Sequence, residues 1–397
     1  MDDRLPLTNA QLAFVLQSQR TGLRDTITLR FHAPASRLPA ADVRQVLESI
    51  VRVNPALSQR IRFSRGEVFQ QRMPVDCDFA ELREETEHAV SVRAAEAIAD
   101  FETDLDGPAM SARLIRSPNG DHLVLVFDHA LVDEQSLVLV KRQLSAPAPA
   151  DCGEWERYAA AVTDRVAFET AAGSGPGAGF WADRLAAAGD DFPEVRDKAS
   201  RSGFVILPSV AIPGDLRGSL FPLVLFSLHR AVRDVAGSKT TSIGYPWGER
   251  NGAFADVMGC FMNTVVSLDT TTQAQGAGVA EFLQDWYREI DHADVPFTVL
   301  TGLGSAFTGA VTAMLSFTHA KTTSVTIAGT EAVQVLPSHD AVPSTAEFLA
   351  AAGVHGDELR LRLLLDETSD DRGAQDLGAR WRHRLSETFA RSSRPRR

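Results

Sequence analysis

Apolar residues recur along the chain with two periods, near 3.6 and near 2, and the switches between them mark out the predicted elements. In "LTNAQLAFVLQ", Thr8 and Gln11 have the spacing of a capping box, and Leu12, Val15 and Leu16 follow at helical intervals. "DTITLRFH" alternates Ile27, Leu29 and Phe31, as a half-buried strand does. Val43, Val46, Leu47, Ile50 and Val51 make a second helical face, which Pro55 ends. "GPAMSARLIR" and "DHLVLVF", joined by "SPNG", predict a hairpin. Helical spacing resumes at Leu137, Val138 and Val140.

The second half uses the same alphabet. Leu220, Leu223, Val224, Leu228, Ala231, Val232 and Val235 predict a long helix, and "TTSIGYP" a buried strand. Val279, Phe282, Leu283, Trp286 and Ile290 stripe another helix. "ELRLRLLLD" alternates as a strand, and Leu377, Trp381, Leu385 and Phe389 stripe a last helix. Two small-residue stretches, "SAPAPADCG" at 145–153 and "AAGSGPGAG" at 171–179, read as linkers. A boundary near the second divides the chain into domains 1–175 and 176–397. The fold class predicted is α+β, with two halves of similar helix-and-hairpin content.

Composition narrows the function. Hydrophobic residues make up 44% and charged residues 23% of the 397, the balance of a folded chain long enough for two cores. Net charge is −12, and the only basic cluster is the terminal "SSRPRR". Nucleic acid is therefore not an expected partner, because binding it needs a positive footprint. Cys77, Cys152 and Cys260 lie far apart, with neither metal spacing nor a pairing framework, which fits a reducing cytoplasm. "MDDRLPLT" lacks the basic and apolar regions of a secretory signal, and no apolar run nears the roughly 18–20 residues of a membrane span. No phosphate loop, dinucleotide fingerprint or helical two-histidine zinc motif occurs, and no metal is expected.

Chemistry concentrates in "LVLVFDHALVDEQSL", residues 123–137. A five-residue apolar run ends in Asp128 and His129, whose side chains diverge if the strand continues through them. Asp133 is placed to cap the following helix. A histidine at a strand end beside carboxylates suits a general base, and it equally suits a structural turn.

Asp128-His129-Ala-Leu-Val-Asp133-Glu134 resembles the His-His-x-x-x-Asp-Gly motif of nonribosomal peptide synthetase condensation domains. Other landmarks of that family flank it in the family's order: "LPLTNAQLAFVLQ", "VNPALSQRIRF" and "FETDLDGPAMSARLIR" before it, and "FWADRLA", "SIGYPWGER", "VMGCFMNTVVSL" and "DHADVPF" after it. The resemblance implies two chloramphenicol-acetyltransferase-like lobes in a V-shaped pseudo-dimer. It implies a stand-alone condensation-type acyltransferase that joins a carrier-bound acyl or peptidyl thioester to an amine, less often a hydroxyl. Peptidyl or acyl carrier proteins are the implied partners. No cofactor belongs to the domain, because phosphopantetheine arrives on the carriers. His129 carries over as the catalytic residue, with Asp133, Asp128 and Glu134 shaping the motif. Asn263, Thr264 and His319 are candidate channel residues from the second lobe.

The departures are Asp128 for the first His and Glu134 for the Gly. The family arginine that pairs with the motif Asp aligns at Ser58, which leaves Arg60 or Arg62 as expected substitutes. Two alternatives accompany the catalytic reading. One is a non-catalytic module that recruits a tailoring enzyme to a carrier-bound peptide, since such modules carry an acidic residue at the Gly position. The other is heterocyclisation, whose Asp-x-x-x-x-Asp-x-x-Ser spacing Asp128, Asp133 and Ser136 satisfy.

Overall fold

The computed structural model describes residues 3–34, 37–146, 154–195, 200–237, 240–248, 250, 252–270, 278–303, 306–319, 324–335, 339–342, 345–365 and 371–392. The chain forms two compact units. The first comprises Met1–Thr170 with Glu249–Met262 and Thr322–Pro337; the second comprises Ala171–Gly248, Asn263–Lys321 and Ser338–Arg397. The contiguous division at 175 thus needs correcting, since two later segments return to the first unit. One return is a strand pairing: Val333–Val335 lie antiparallel to Arg30–His32.

The first unit is built on a six-stranded sheet in the order Ser324–Ile327, Thr330–Val335, Thr26–Ala33, Gly120–Asp128, Met110–Ser117, Asp78–Arg83. The predicted hairpin forms with Ser117 opposite Gly120. Gly120 is needed there: its φ is +134°, and a Cβ would sit 2.4 Å from the Ala33 carbonyl oxygen. Both faces of Gly120–Asp128 are covered. Leu123, Leu125 and Phe127 enter the main core with Leu29, Phe31, Leu47 and Tyr158. Val124 and Val126 meet Val90, Ala94 and Phe101 of the helix Glu87–Thr103. Burial on both sides explains why this strand reads as an unbroken apolar run rather than an alternation. Each such aliphatic side chain contributes about 1.5–3 kcal/mol on burial.

The second unit carries a sheet in the order Val210–Ala211, Glu358–Leu365, Ala346–His355, Val311–His319, Thr241–Trp247, Asn263–Asp269. Helices Leu220–Ala236 and Asp371–Ser392 supply Leu223, Val224, Leu228, Trp381 and Leu385 to its core. The α+β expectation holds in both units, and the opening helix Asn9–Thr21 has its Thr8–Gln11 capping box. The linker at 171–179 is a correction: helix Glu154–Gly173 runs into it and Pro176–Ala188 starts within it. Pro176 fixes the first helical turn, and Gly177 is small because a Cβ would meet Val295 Cγ2 at 2.8 Å. The other expected linker, 145–153, lies mostly outside the described residues.

Candidate active site

Side-chain parity sorts the end of the motif strand. Asp128 follows Val124 and Val126 toward the helix Glu87–Thr103, where it is 9% exposed. Its Oδ2 lies 3.4 Å from Arg24 Nη1 and its Oδ1 accepts the Ala130 N–H at 2.9 Å. Arg24 is otherwise held by the carbonyls of Phe101 and Pro108 and stacks 3.9 Å over the Phe101 ring. Asp128 therefore serves the turn and the Arg24 pair. Burial raises its pKa, against the pull of Arg24 and the Ala130 N–H.

His129 begins the turn and points the other way, half-buried. Its backbone N–H donates to the Asp25 carbonyl at 3.0 Å, and its Nδ1 lies 3.1 Å from the Val132 carbonyl. A carbonyl only accepts, so Nδ1 carries hydrogen and the neutral ring keeps its lone pair on Nε2. No described residue hydrogen-bonds Nε2. Phe14, on the opening helix, stacks on the imidazole at 4.4 Å between centroids and 23° between planes. One turn along, Gln17 Nε2 donates to Asp25 Oδ2 at 2.9 Å. One helix face thus packs the ring and holds the carboxylate beside it.

Opposing influences set the His129 pKa. Burial lowers its pKa, but Glu134, Asp25, a backbone hydrogen bond and Asp133 outweigh burial and leave it raised. Asp25 is itself raised by burial, partly offset by His129 and Gln17. Glu134 opens the helix Glu134–Ser145 and is the strongest of the groups that hold the proton on His129.

Asp133 caps that helix through Oδ1, which accepts the Ser136 N–H at 2.9 Å and the Ser136 hydroxyl at 3.0 Å. The arginine that pairs with it is Arg250, whose Nη2 lies 2.6 Å from Oδ1, with side chains 4% and 1% exposed. Arg60 and Arg62 do not substitute; Arg62 pairs instead with Asp106 at 2.6 Å. Phe261 N–H donates to Asp133 Oδ2 at 3.1 Å, and Ser136 Oγ bonds both the Gly259 carbonyl and its N–H. Arg250 Nη1 also donates to Gln135 at 2.8 Å. Asp133 and Ser136 thus clamp the returning segment 249–262 onto the turn that carries His129. The signal for Arg250 was present as the last residue of "SIGYPWGER". Nothing local to Asp25, Phe14 or Gln17 marks them out.

Asn263 does not have a free amide: Nδ2 donates to the Ala293 and Val295 carbonyls at 2.8 and 2.7 Å, and Oδ1 accepts the Phe297 N–H at 3.0 Å. Its amide ties residues 293–297 to the start of the strand Asn263–Asp269. Thr264 is half-buried opposite Pro246 in the second unit's sheet. His319 ends the strand Val311–His319, and its side chain lies outside the described residues.

No protein-family model matches the chain, and no curated protein matches it by sequence. Solved structures do. The first condensation domain of the calcium-dependent antibiotic synthetase, in complex with a substrate analogue, is 18% identical with a TM-score of 0.72, over 98% of this chain and 96% of that one. The fold is that of nonribosomal peptide synthetase condensation domains. Two relatives by fold extend the picture. The epimerization domain from the third module of tyrocidine synthetase B is 17% identical, with a TM-score of 0.72 over 98% of both chains. The X-domain from teicoplanin biosynthesis is 17% identical, with a TM-score of 0.75 over 99% of this chain and 97% of that one. One condensation-type fold therefore serves differently named domains, and the site has to distinguish them. No helix among the described residues is long and apolar enough to cross a membrane.

Proposed function

We propose that the chain is a condensation-type acyltransferase of nonribosomal peptide biosynthesis. It joins a carrier-protein-bound acyl or peptidyl thioester to an amine acceptor, with phosphopantetheine arms delivering the substrates. The observation that carries the reading is the anchored tautomer of His129. With Nδ1–H on the Val132 carbonyl, Nε2 is the nitrogen able to take a proton. The acceptor nitrogen attacks the thioester carbonyl and Nε2 removes its proton. The C–S bond then breaks, and the departing thiolate recovers the proton from Nε2. Asp133 and Arg250 hold the turn, and Asp25 and Glu134 stabilise the imidazolium formed on the way.

A second reading draws on the same carboxylates. They raise the His129 pKa, and the acidic Glu134 stands at the motif's glycine position; this supports a module that presents a carrier-bound peptide to a tailoring enzyme. The deciding experiment is intact-protein mass spectrometry of acyl transfer between loaded carrier proteins. Transfer by the wild type that His129→Ala abolishes supports catalysis. Equal transfer by both removes His129 as the base. No transfer with any carrier pair, together with capture of a tailoring enzyme, supports recruitment.

A further inference from the structure

The His129 ring is supported by more than its own turn. Phe14 and Gln17 lie three residues apart on the helix Asn9–Thr21, so they share a face. Phe14 stacks on the imidazole at 4.4 Å, and Gln17 Nε2 donates to Asp25 Oδ2 at 2.9 Å. Asp25 in turn accepts the His129 N–H on its backbone carbonyl at 3.0 Å. One amide is thus joined to the imidazole segment through one aspartate.

Asp25 has few other supports. Among the described residues, no Lys or Arg lies within salt-bridge reach of its carboxylate, and Gln17 is its only side-chain hydrogen-bond donor. Burial pushes the carboxyl up from its ordinary value, while His129, Gln17 and the Thr26 N–H pull it down. An N–H directed at a carboxyl oxygen favours the anion, because the anion only accepts. The other charged groups that act on the ring are Glu134 and Asp133, and Asp133 is already paired with Arg250. Phe14 and Gln17 bring no charge of their own, so the route from Gln17 to the ring runs through Asp25.

We infer that Gln17 is a positioning residue of this site: its amide holds the Asp25 side chain in place and ionised beside the imidazole of His129. The consequence for catalysis rests on the acyl-transfer reading; the hold on Asp25 does not. Without the amide, the carboxyl turns away or takes up a proton, negative charge beside the ring is lost, and His129 gives up its proton at lower pH.

The test titrates the His129 imidazole by NMR in the full chain, for wild type, Gln17→Met, Asp25→Asn and the double variant. Gln17→Met keeps the length of the stem and removes the donor. It should lower the His129 midpoint by about half a pH unit or more, a roughly threefold weaker hold on the proton. Asp25→Asn should lower the midpoint further, and adding Gln17→Met to it should produce no additional fall. The inference is overturned if Gln17→Met leaves the midpoint in place, or if it lowers the midpoint equally in the wild-type and Asp25→Asn backgrounds. The titration needs no substrate, so an absence of acyl transfer bears on the proposed function alone. Where transfer is seen, a pH–rate limb that stays put while the NMR midpoint falls removes His129 as the base and leaves the role of Gln17 standing.

Discussion

Replacing Arg250 with Met tests the clamp on the motif turn. The substitution keeps an apolar stem and removes the charge that faces Asp133 at 2.6 Å, with side chains 4% and 1% exposed. Breaking a buried pair from one side costs about 3–5 kcal/mol, because the remaining charge stays buried. Asp133 would keep three donors: the Ser136 N–H, the Ser136 hydroxyl and the Phe261 N–H. That places the cost at the lower end, about 3 kcal/mol, or roughly a hundredfold in the local opening equilibrium. Hydrogen exchange read by mass spectrometry measures this directly and needs no assumption that both units unfold together. Peptides covering residues 131–140 and 255–262 should exchange roughly a hundredfold faster in Arg250→Met, while peptides of the second unit keep their rates. Asp133→Asn combined with Arg250→Met should cost clearly less than the sum of the single changes. Exchange within threefold of wild type in both peptides would refute the clamp.

Asp128→His, which restores the family's first histidine, should destabilise by about 2 kcal/mol in urea denaturation, because it strands the buried Arg24 and removes the Ala130 cap; unchanged stability would show that the pair is not structural. Gly120→Ala should lower stability by about 2–3 kcal/mol, since it forces a Cβ at φ +134° against the Ala33 carbonyl; a thermal midpoint equal to wild type contradicts this. By NMR titration His129 should have a pKa above the ordinary histidine value of about 6.5, and Glu134→Gln should lower it. The sign follows from linkage: a raised folded-state pKa adds stability in full below about pH 6.5, and that contribution is lost as pH rises through the folded value. A midpoint at or below 6.5, or one that Glu134→Gln does not move, counts against the arrangement.

The sequence carried most of what is local and little of what is distant. The capping box of Thr8, the strand end at Asp128 and the cap at Asp133 were legible because each depends on neighbours within a few residues. Strand parity placed Asp128, whereas His129 lies past the strand end Gly120–Asp128, where the turn rather than alternation sets its direction. The partner of Asp133 was misplaced because the family pattern pointed to Ser58, and so to Arg60 and Arg62 beside it, whereas Arg250 lies 117 residues from Asp133 in another segment. Asp25 escaped notice because its meeting with His129 is made by pairing of Thr26–Ala33 with Gly120–Asp128, not by spacing. Residues 171–179 read as a linker because glycine is rarely helical. Here a helix start at Pro176 and close packing against Val295 override that propensity.

If His129 is a working base, single-turnover acyl transfer between loaded carrier proteins, followed against pH, reports its titration. The rate should rise with pH through a pKa above that of an ordinary histidine, as the ring loses the proton that its carboxylate neighbours hold. In Glu134→Gln the same limb should move to lower pH, and in His129→Ala it should vanish with the transfer. A wild-type profile without this limb, or transfer that survives in His129→Ala, would contradict the account.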